Sequence, residues 1–131
     1  MIYLDSCALV KLVVREDESK ALQGWLSERL DVRRASSALV RTEVPRAVID
    51  GGDIAVLRAQ MVIGDLVQMP LTPALLDEAG RLRNQLRSLG AIHLASALRL
   101  ADGLAAFVTY DKRLLAAAVE VGLPTAAPGA T

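Results

Sequence analysis

The sequence predicts a single α/β domain built on a parallel sheet. Short apolar runs alternate along the chain with amphipathic stretches of helical period, which is typical of a parallel sheet covered by helices on both faces. Two of the apolar runs end on an acid, at Asp5 and at Asp111. The chain has 131 residues, 53% of them hydrophobic, which suffices for one core and is too few for two. We therefore expect one domain over residues 1–131, without an internal boundary.

The first half of the chain predicts two strands and four helices. In order, these are strand Met1–Leu4, helix Ser6–Val13, a helix starting at Asp17, strand Val32–Ser36, a helix capped by Ser36 or Ser37, and a helix marked by Ile54, Leu57 and Met61. The apolar stripe of the second helix should bury Trp25, the only tryptophan. Pro45 should kink the third helix just past Glu43, because proline has no backbone N–H to donate. The Gly51-Gly52 pair should separate the third helix from the fourth.

The second half of the chain predicts three more strands and three more helices. In order, these are strand Leu66–Met69, a helix opened by Pro73 with its apolar side continuing to Leu86, a helix after Gly90, strand Ala105–Tyr110, a helix carrying Leu114 to Val119, and a strand near Leu123. Proline suits the first position of a helix, since the N–H that it lacks has no partner there. Gly122 is a typical helix stop.

Charge and cysteine content limit the classes of function. With 15 basic and 15 acidic residues the net charge is zero, so any nucleic-acid contact must be local. Cys7 is the only cysteine, which excludes a disulfide within the chain and favours a reducing compartment. The apolar opening is too short for a signal peptide or a membrane span. We expect a cytoplasmic protein that is not embedded in a membrane.

Three acids form the most informative pattern of the sequence. Asp5 and Asp111 each follow an apolar strand, and the carboxyl ends of parallel strands meet at one edge of a sheet, where α/β proteins keep their sites. Glu43 lies among apolar residues of a helix and would face inward only for a reason. Carboxylate oxygens are the preferred ligands of hard divalent cations. The three acids therefore indicate a site for Mg²⁺ or Mn²⁺.

Four segments in sequence order resemble the successive motifs of the PIN-domain ribonucleases, and of the VapC toxins among them. These segments are Met1–Ser6, Ser36–Glu43, Leu86–Ala95 and Thr109–Leu114. The resemblance covers nearly the whole chain. It implies a three-layer α/β/α fold with a central, mainly parallel sheet, and endoribonuclease activity that depends on Mg²⁺ or Mn²⁺. It also implies a homodimer, a VapB-type antitoxin as partner, and tRNA or rRNA as substrate.

The resemblance assigns roles to particular residues. Asp5 and Asp111 would hold the metal, and Glu43 would orient or deprotonate a water molecule. Ser6 and Thr109 would support the site by hydrogen-bonding to metal-bound water or to the ligand carboxylates. Four cations near the predicted site edge are candidates for contact with RNA phosphates: Arg41, Arg87, Lys112 and Arg113.

Gly90 departs from the pattern, because the family motif has an aspartate where this chain has glycine. The carboxylate count falls from four to three, so we expect metal affinity and rate to be impaired while the fold survives. Glycine at a helix start is tolerable as a cap residue. An engineered inactivation and a natural loss both fit the sequence. A non-catalytic PIN-like protein, which binds RNA or antitoxin, is the alternative function.

Simpler structural roles compete with some of these assignments. Asp5 alone could be a turn acid and Asp111 a helix cap. His93 shares a polar helix face with Ser96, which favours a solvated or dimer-facing role over that of a general base. Cys7 is expected to be a small core residue. Phospho-receiver and nucleotide-binding domains are disfavoured, since the acidic pair of the first and the glycine-rich phosphate loop of the second are missing.

Overall fold

A five-stranded sheet in the order β3-β2-β1-β4-β5, with every neighbouring pair parallel, forms the middle of the fold. The computed structural model describes residues 1–130. Its strands are β1 (Ile2–Leu4), β2 (Arg34–Ser37), β3 (Val67–Met69), β4 (Ala106–Val108) and β5 (Thr125–Ala126). Its α-helices are α1 (Ser6–Val13), α2 (Ser19–Ser27), α3 (Val40–Val48), α4 (Gly52–Gly64), α5 (Pro73–Gly80), α6 (Ser88–Leu98) and α7 (Lys112–Glu120). Short 3-10 helices lie at Ile49–Gly51 and Ala101–Gly103.

Alternation along the central strands divides the core into two halves. Ile2 and Leu4 of β1 pack with buried residues of α1 to α4 on one face of the sheet. Tyr3 between them points to the other face, where it packs with Phe107 and with residues of α6 and α7. Successive side chains of a strand point to opposite faces, so a fully buried strand supplies both layers. The predicted three-layer α/β/α fold is confirmed.

The predicted helix from Pro73 to Leu86 is wrong in its second half. Helix α5 ends at Gly80, and Leu82 and Leu86 reach the core from the segment that follows it. The Asn84 side chain accepts a hydrogen bond from the Leu86 backbone N–H at 3.0 Å. Such a local side-chain bond gives the backbone an alternative to the helix. The apolar period therefore correctly predicts the burial of Leu82 and Leu86, whereas the continuous helix that it also predicts is wrong.

Several element boundaries also differ from the predictions. Helix α6 begins at Ser88, so Gly90 is its third residue and not its cap. Strand β4 stops at Val108, two residues before the predicted end, and β5 begins at Thr125, beyond Leu123.

Two local predictions have opposite outcomes. Trp25 is half-buried, contrary to the prediction that its helix buries it, and the Arg29 guanidinium lies 4.1 Å from the ring centre. The break at Gly51-Gly52 is confirmed, because Gly52 has a φ of 85° at the start of α4. That left-handed conformation suits glycine, which has no Cβ.

Within residues 1–130, no helix has the length and apolar character needed to cross a membrane.

Candidate active site

The candidate site lies where the strand order of the sheet reverses, between β1 and β4. In open α/β sheets the crevice beyond the carboxyl ends of the strands at this point is the usual ligand site. Asp5 follows β1 directly, and its backbone N–H donates to the Val108 carbonyl at the end of β4, at 3.2 Å. Asp111 follows β4 after two residues and begins the approach to α7. The sheet thus brings the two predicted strand-end acids to one edge.

Asp5 is a buried carboxylate with donors on both oxygens. Its Oδ1 accepts from the Ala8 backbone N–H at 3.0 Å, which caps α1, and its Oδ2 accepts from the Thr109 hydroxyl at 2.5 Å. The Cys7 thiol lies 3.0 Å from Oδ1 and 3.1 Å from Oδ2. Only 3% of Asp5 is exposed. Burial raises the pKa of this carboxyl above its ordinary value, and the donors around it oppose that rise.

The neighbouring thiol remains protonated at neutral pH. Burial, and next the charge of Asp5, raise the pKa of Cys7 to about 12. The thiol therefore acts as a donor to Asp5 and not as a nucleophile.

Glu43 is held at both of its oxygens in the first turn of α3. Oε1 lies 2.8 Å from His93 Nε2, and Oε2 accepts from the Ser6 hydroxyl at 3.3 Å. Its side chain is 16% exposed, which leaves the carboxylate at the boundary between the core and solvent. Two hydrogen bonds thus explain the inward orientation of Glu43 that its apolar neighbours predict.

The expected solvated or dimer-facing role of His93 is wrong. His93 is 2% exposed and Ser96 is fully buried, so the polar face predicted for α6 points into the protein. The second ring nitrogen, Nδ1, lies 2.8 Å from the Tyr3 hydroxyl. The sequence contained one signal for this arrangement: a lone histidine between Ile92 and Leu94, inside a strongly apolar helix.

Asp111 is the N-cap of α7 and is exposed to solvent. Its Oδ1 accepts from the backbone N–H groups of Arg113 and Leu114, at 2.9 and 3.0 Å. Its own N–H donates to the Thr109 hydroxyl oxygen at 3.1 Å, so the threonine links Asp111 to Asp5. The N-cap role and the predicted ligand role of Asp111 both depend on its position at the N-terminus of α7.

A cavity of about 850 Å³ opens in front of these groups. Ser6, Cys7, Glu43, Tyr110 and Asp111 form part of its wall. The buried Asp5 lies behind it, next to Ser6 and Cys7 in sequence. Three cations also line the cavity: Lys11, Arg46 and Lys112.

Of the four predicted RNA-contacting cations, only Lys112 lines this cavity. Arg41 and Arg113 line two other clefts, and Arg87 is exposed just before α6. Arg46 was missed, although it follows Glu43 by three residues and so lies on the same helix face.

Lys11, also missed, is already engaged with two acids. Its ammonium lies 2.8 Å from Glu18 and 3.3 Å from Glu16. In the part of the chain that the structure describes, neither Arg46 nor Lys112 forms an ion pair, so these two cations are available to a ligand.

The carboxylate oxygens of the site are the type of ligand that hard divalent cations prefer. Among residues 1–130, however, no three His, Cys, Asp or Glu side chains are grouped closely enough to bind one ion together. Mg²⁺ commonly takes only one or two protein carboxylates and completes its shell with water. Glu43 and Asp111 on the cavity wall, with Asp5 behind it, are compatible with that mode of binding.

The model of the PIN domain family matches residues 2–120. The chain belongs to the PIN-domain family. It is 45% identical over 128 residues to ribonuclease VapC46 of Mycobacterium tuberculosis (strain ATCC 25618 / H37Rv), with 97% of each chain covered. Ribonuclease VapC47 of M. tuberculosis (strain CDC 1551 / Oshkosh) is 42% identical over 99% of this chain and 98% of its own. Ribonuclease VapC35 of the same strain is 39% identical, with 98% of both chains covered. No solved structure matches the chain significantly.

In this PIN domain the glycine at position 90 leaves room for a side chain. A Cβ at Gly90 would lie 3.7 Å from Leu86 Cβ and Cδ2, which is ordinary van der Waals contact. His93, one helical turn later, contacts Glu43. Residues three apart on a helix share a face, so a side chain at position 90 would point toward the same end of the sheet.

Proposed function

We propose that this PIN domain is a metal-dependent endoribonuclease, the toxin of a VapBC-type toxin–antitoxin pair, impaired by glycine at position 90. The observation that carries the proposal is that Glu43 and Asp111 line one cavity at the edge of the sheet, with the buried Asp5 next to the wall residues Ser6 and Cys7. The relatives that cover the whole chain are named ribonuclease VapC, which supports RNA as the substrate. An RNA substrate also favours the cytoplasm as the place of action.

The cofactor that suits these oxygen donors is Mg²⁺ or Mn²⁺, with Asp5 and Asp111 as the residues that would hold it. Bound there, the cation would neutralise charge that develops on the phosphate and lower the pKa of a water molecule. For Asp5 to reach a cation, the Cys7 thiol that covers both of its oxygens would have to turn away. The chain's own contribution is to bring these two carboxylates to the same edge of the sheet, where Thr109 hydrogen-bonds both to the Asp5 carboxylate and to the Asp111 backbone.

Glu43 is the group in this site that would orient a water molecule and accept its proton. It lines the cavity, and hydrogen bonds from His93 and Ser6 fix its carboxylate. Arg46 and Lys112 on the same wall would bind the phosphates on either side of the bond that is cleaved. Ser6 and Thr109 hold the carboxylates of Glu43 and Asp5, respectively.

The expected protein partners are a VapB-type antitoxin and a second copy of the chain. Ile54, Leu57 and Met61 of α4 are all more than half exposed. Residues at this spacing form one apolar helix face, which a protein partner would cover. Light scattering on the purified protein would distinguish a dimer from a monomer.

A binding-only role is the second candidate. Gly90 and the lack, within residues 1–130, of a ready group of three ligands both favour it. A binding-only protein would retain RNA in a mobility-shift assay and leave it intact with every metal tested.

The deciding experiment is cleavage of total tRNA and of rRNA fragments by this chain and by its Gly90→Asp variant. Each is incubated with Mg²⁺, with Mn²⁺ and with EDTA, and Glu43→Gln in both backgrounds is the matched control. Cleavage that needs the metal and is lost with Glu43→Gln supports the proposal. Folded protein that binds RNA but does not cleave it in either background would support the binding-only role.

A further inference from the structure

We infer that His93 is a positioning residue, which holds the Glu43 carboxylate from behind the cavity through a hydrogen-bonded chain that runs from Tyr3 to His93 to Glu43. The chain of contacts is a feature of the fold by itself. Its effect on cleavage rests on the proposed function of Glu43.

The geometry places the imidazole between two fixed groups. His93 Nδ1 is 2.8 Å from the Tyr3 hydroxyl, and Nε2 is 2.8 Å from Glu43 Oε1. The tyrosine is fully buried and the histidine is 2% exposed. Neither ring has water as an alternative partner, and the Tyr3 hydroxyl also lies within hydrogen-bonding reach of the side chains of Ser36 and Ser96.

The proton arrangement follows from the chemistry of the three groups. An ionised carboxylate only accepts hydrogen bonds, so the Nε2 that faces Glu43 must carry a hydrogen. In a neutral imidazole the other nitrogen, Nδ1, is then an acceptor, and the Tyr3 hydroxyl is the donor that fits it. Burial raises the pKa of that phenol, so it keeps its hydrogen. Glu43 therefore sets the tautomer in which His93 donates to it, and the Tyr3 hydroxyl supports that tautomer by donating to Nδ1.

The hydrogen-bonded chain from Tyr3 to His93 to Glu43 also connects both helical layers with the sheet. Tyr3 is in the central strand β1 and stacks on Phe107 of β4, with ring centres 5.3 Å apart. The His93 ring meets the Tyr3 ring edge-on at 5.9 Å. His93 belongs to α6 on one face of the sheet, and Glu43 belongs to α3 on the other face. The His93–Glu43 contact joins α6 to α3 beyond the strand ends, in addition to the packing of the buried α3 valines against the sheet.

His93 is not part of the cavity wall, whereas Glu43 is. A ligand in the cavity would touch the carboxylate and not the imidazole, so His93 acts through Glu43. Ser6 holds the opposite oxygen, and the two donors together leave the carboxylate little freedom to rotate. Pre-set orientation of a reacting group is a large part of catalytic rate.

The first test is the nitrogen NMR spectrum of the imidazole, since His93 is the only histidine of the chain. Long-range nitrogen–proton spectra of ¹⁵N-labelled protein without a histidine tag, at pH 8 and without metal, report which nitrogen carries the hydrogen. We expect the Nε2–H form in the original chain and in Tyr3→Phe, with a shift of the Nδ1 signal in Tyr3→Phe because Nδ1 loses its hydrogen bond. The Nδ1–H form, an imidazolium, or a spectrum unchanged by Tyr3→Phe would overturn the inference.

The second test separates positioning from a structural role. His93→Leu removes the donor to Glu43, whereas His93→Gln places an amide N–H near the position of Nε2. With Mn²⁺ and RNA, we expect kcat to fall about 100-fold in His93→Leu. We expect KM to change little and His93→Gln to recover most of the rate. Circular dichroism and thermal unfolding check that each variant is folded.

The two tests fail in different ways. An unchanged kcat in a folded His93→Leu variant would refute the positioning role. If His93→Leu does not fold, the Tyr3→Phe variant supplies the kinetic comparison, and an unchanged kcat there also counts against the inference. If neither this chain nor its Gly90→Asp variant cleaves RNA while the NMR result is as expected, the proposed function fails and the hydrogen-bonded chain stands.

Discussion

The Thr109 hydroxyl donates to Asp5 Oδ2 at 2.5 Å, across the line where the sheet reverses its strand order. Both residues are almost completely buried. The same hydroxyl oxygen accepts from the Asp111 backbone N–H at 3.1 Å. One side chain therefore sets the spacing of the two strand-end acids that we propose as metal ligands.

Replacing Thr109 by valine should destabilise the protein by about 2 kcal/mol, because it removes a donor from a buried carboxylate without changing the shape of the side chain. The pKa of Asp5, already raised by burial, should rise further, since this hydrogen bond favours the charged form. Urea unfolding measures the loss of stability. Thr109→Ser, which keeps the hydroxyl, is the control, and equal losses in both variants would show that the hydrogen bond is not the cause.

Replacing Asp5 by asparagine should stabilise the metal-free protein while abolishing cleavage. The folded pKa of Asp5 is raised above its unfolded value, so its contribution to stability is fully present below the unfolded pKa, about 4. That contribution is lost as the pH rises through the folded pKa. The melting temperature in EDTA, measured from pH 4 to pH 8, should therefore favour the variant increasingly as the pH rises.

Added Mn²⁺ supplies the control for this prediction. A cation that binds only the folded state raises its stability. The original chain should gain melting temperature with Mn²⁺, and Asp5→Asn should gain less. Equal gains in both proteins would argue against Asp5 as a ligand, whatever the result in EDTA.

The ion pair between Glu78 and Arg99 should stabilise the protein at neutral pH and cease to do so in acid. Arg99 Nε and Nη2 each lie 2.9 Å from a Glu78 oxygen, and the pair joins α5 to the end of α6. Hydrogen bonding to Arg99 lowers the pKa of Glu78, so the pair's stabilisation is present above the ordinary glutamate pKa and is lost as the pH falls through the lowered one. Both side chains are partly exposed, so the effect should be smaller than that of Thr109→Val and should weaken with salt.

Thermal unfolding of Arg99→Gln at pH 7 and at pH 3, each at low and high salt, measures this contribution. The variant should lose melting temperature at pH 7 and low salt and match the original chain at pH 3. Arg83→Gln, a change at another exposed arginine, controls for the loss of a positive charge.

The parts of the fold that the sequence predicts well are those in which local pattern and tertiary burial agree. Asp5 and Asp111 are recognisable because each ends an apolar strand and begins a helix, and both are indeed N-caps. The segment after Gly80 is the contrary case. Leu82 and Leu86 keep a helical spacing there because both face the core, but the chain between them turns. Periodicity reports which side chains are buried, and here it does not report the backbone conformation.

The role of His93 could not be read from the sequence, because it depends on partners 90 and 50 residues away, Tyr3 and Glu43. A polar residue every third position on a helix normally marks a solvated face. On α6, His93 and Ser96 are buried, and so are the apolar residues on either side of them. Only the tertiary contacts distinguish a solvated polar helix face from a buried one.

Replacing Gly90 by aspartate should raise metal-dependent cleavage by roughly 10²- to 10³-fold, the usual effect of one electrostatic group at a transition state. The side chain has room, because its Cβ would make only ordinary contacts with Leu86. An acid in the first turn of α6 also suits the helix dipole, so the variant should not lose stability. Initial rates of RNA cleavage with Mn²⁺ measure the gain.

Gly90→Asn and Gly90→Ala are the matched controls for this change. Both restore the Cβ and the helix propensity that glycine lacks, and neither adds a negative charge. A gain that appears only with aspartate assigns the missing function to the carboxylate. If alanine raises the rate as much as aspartate does, the defect of this chain lies in the rigidity of α6, and the site works with the three carboxylates of Asp5, Glu43 and Asp111.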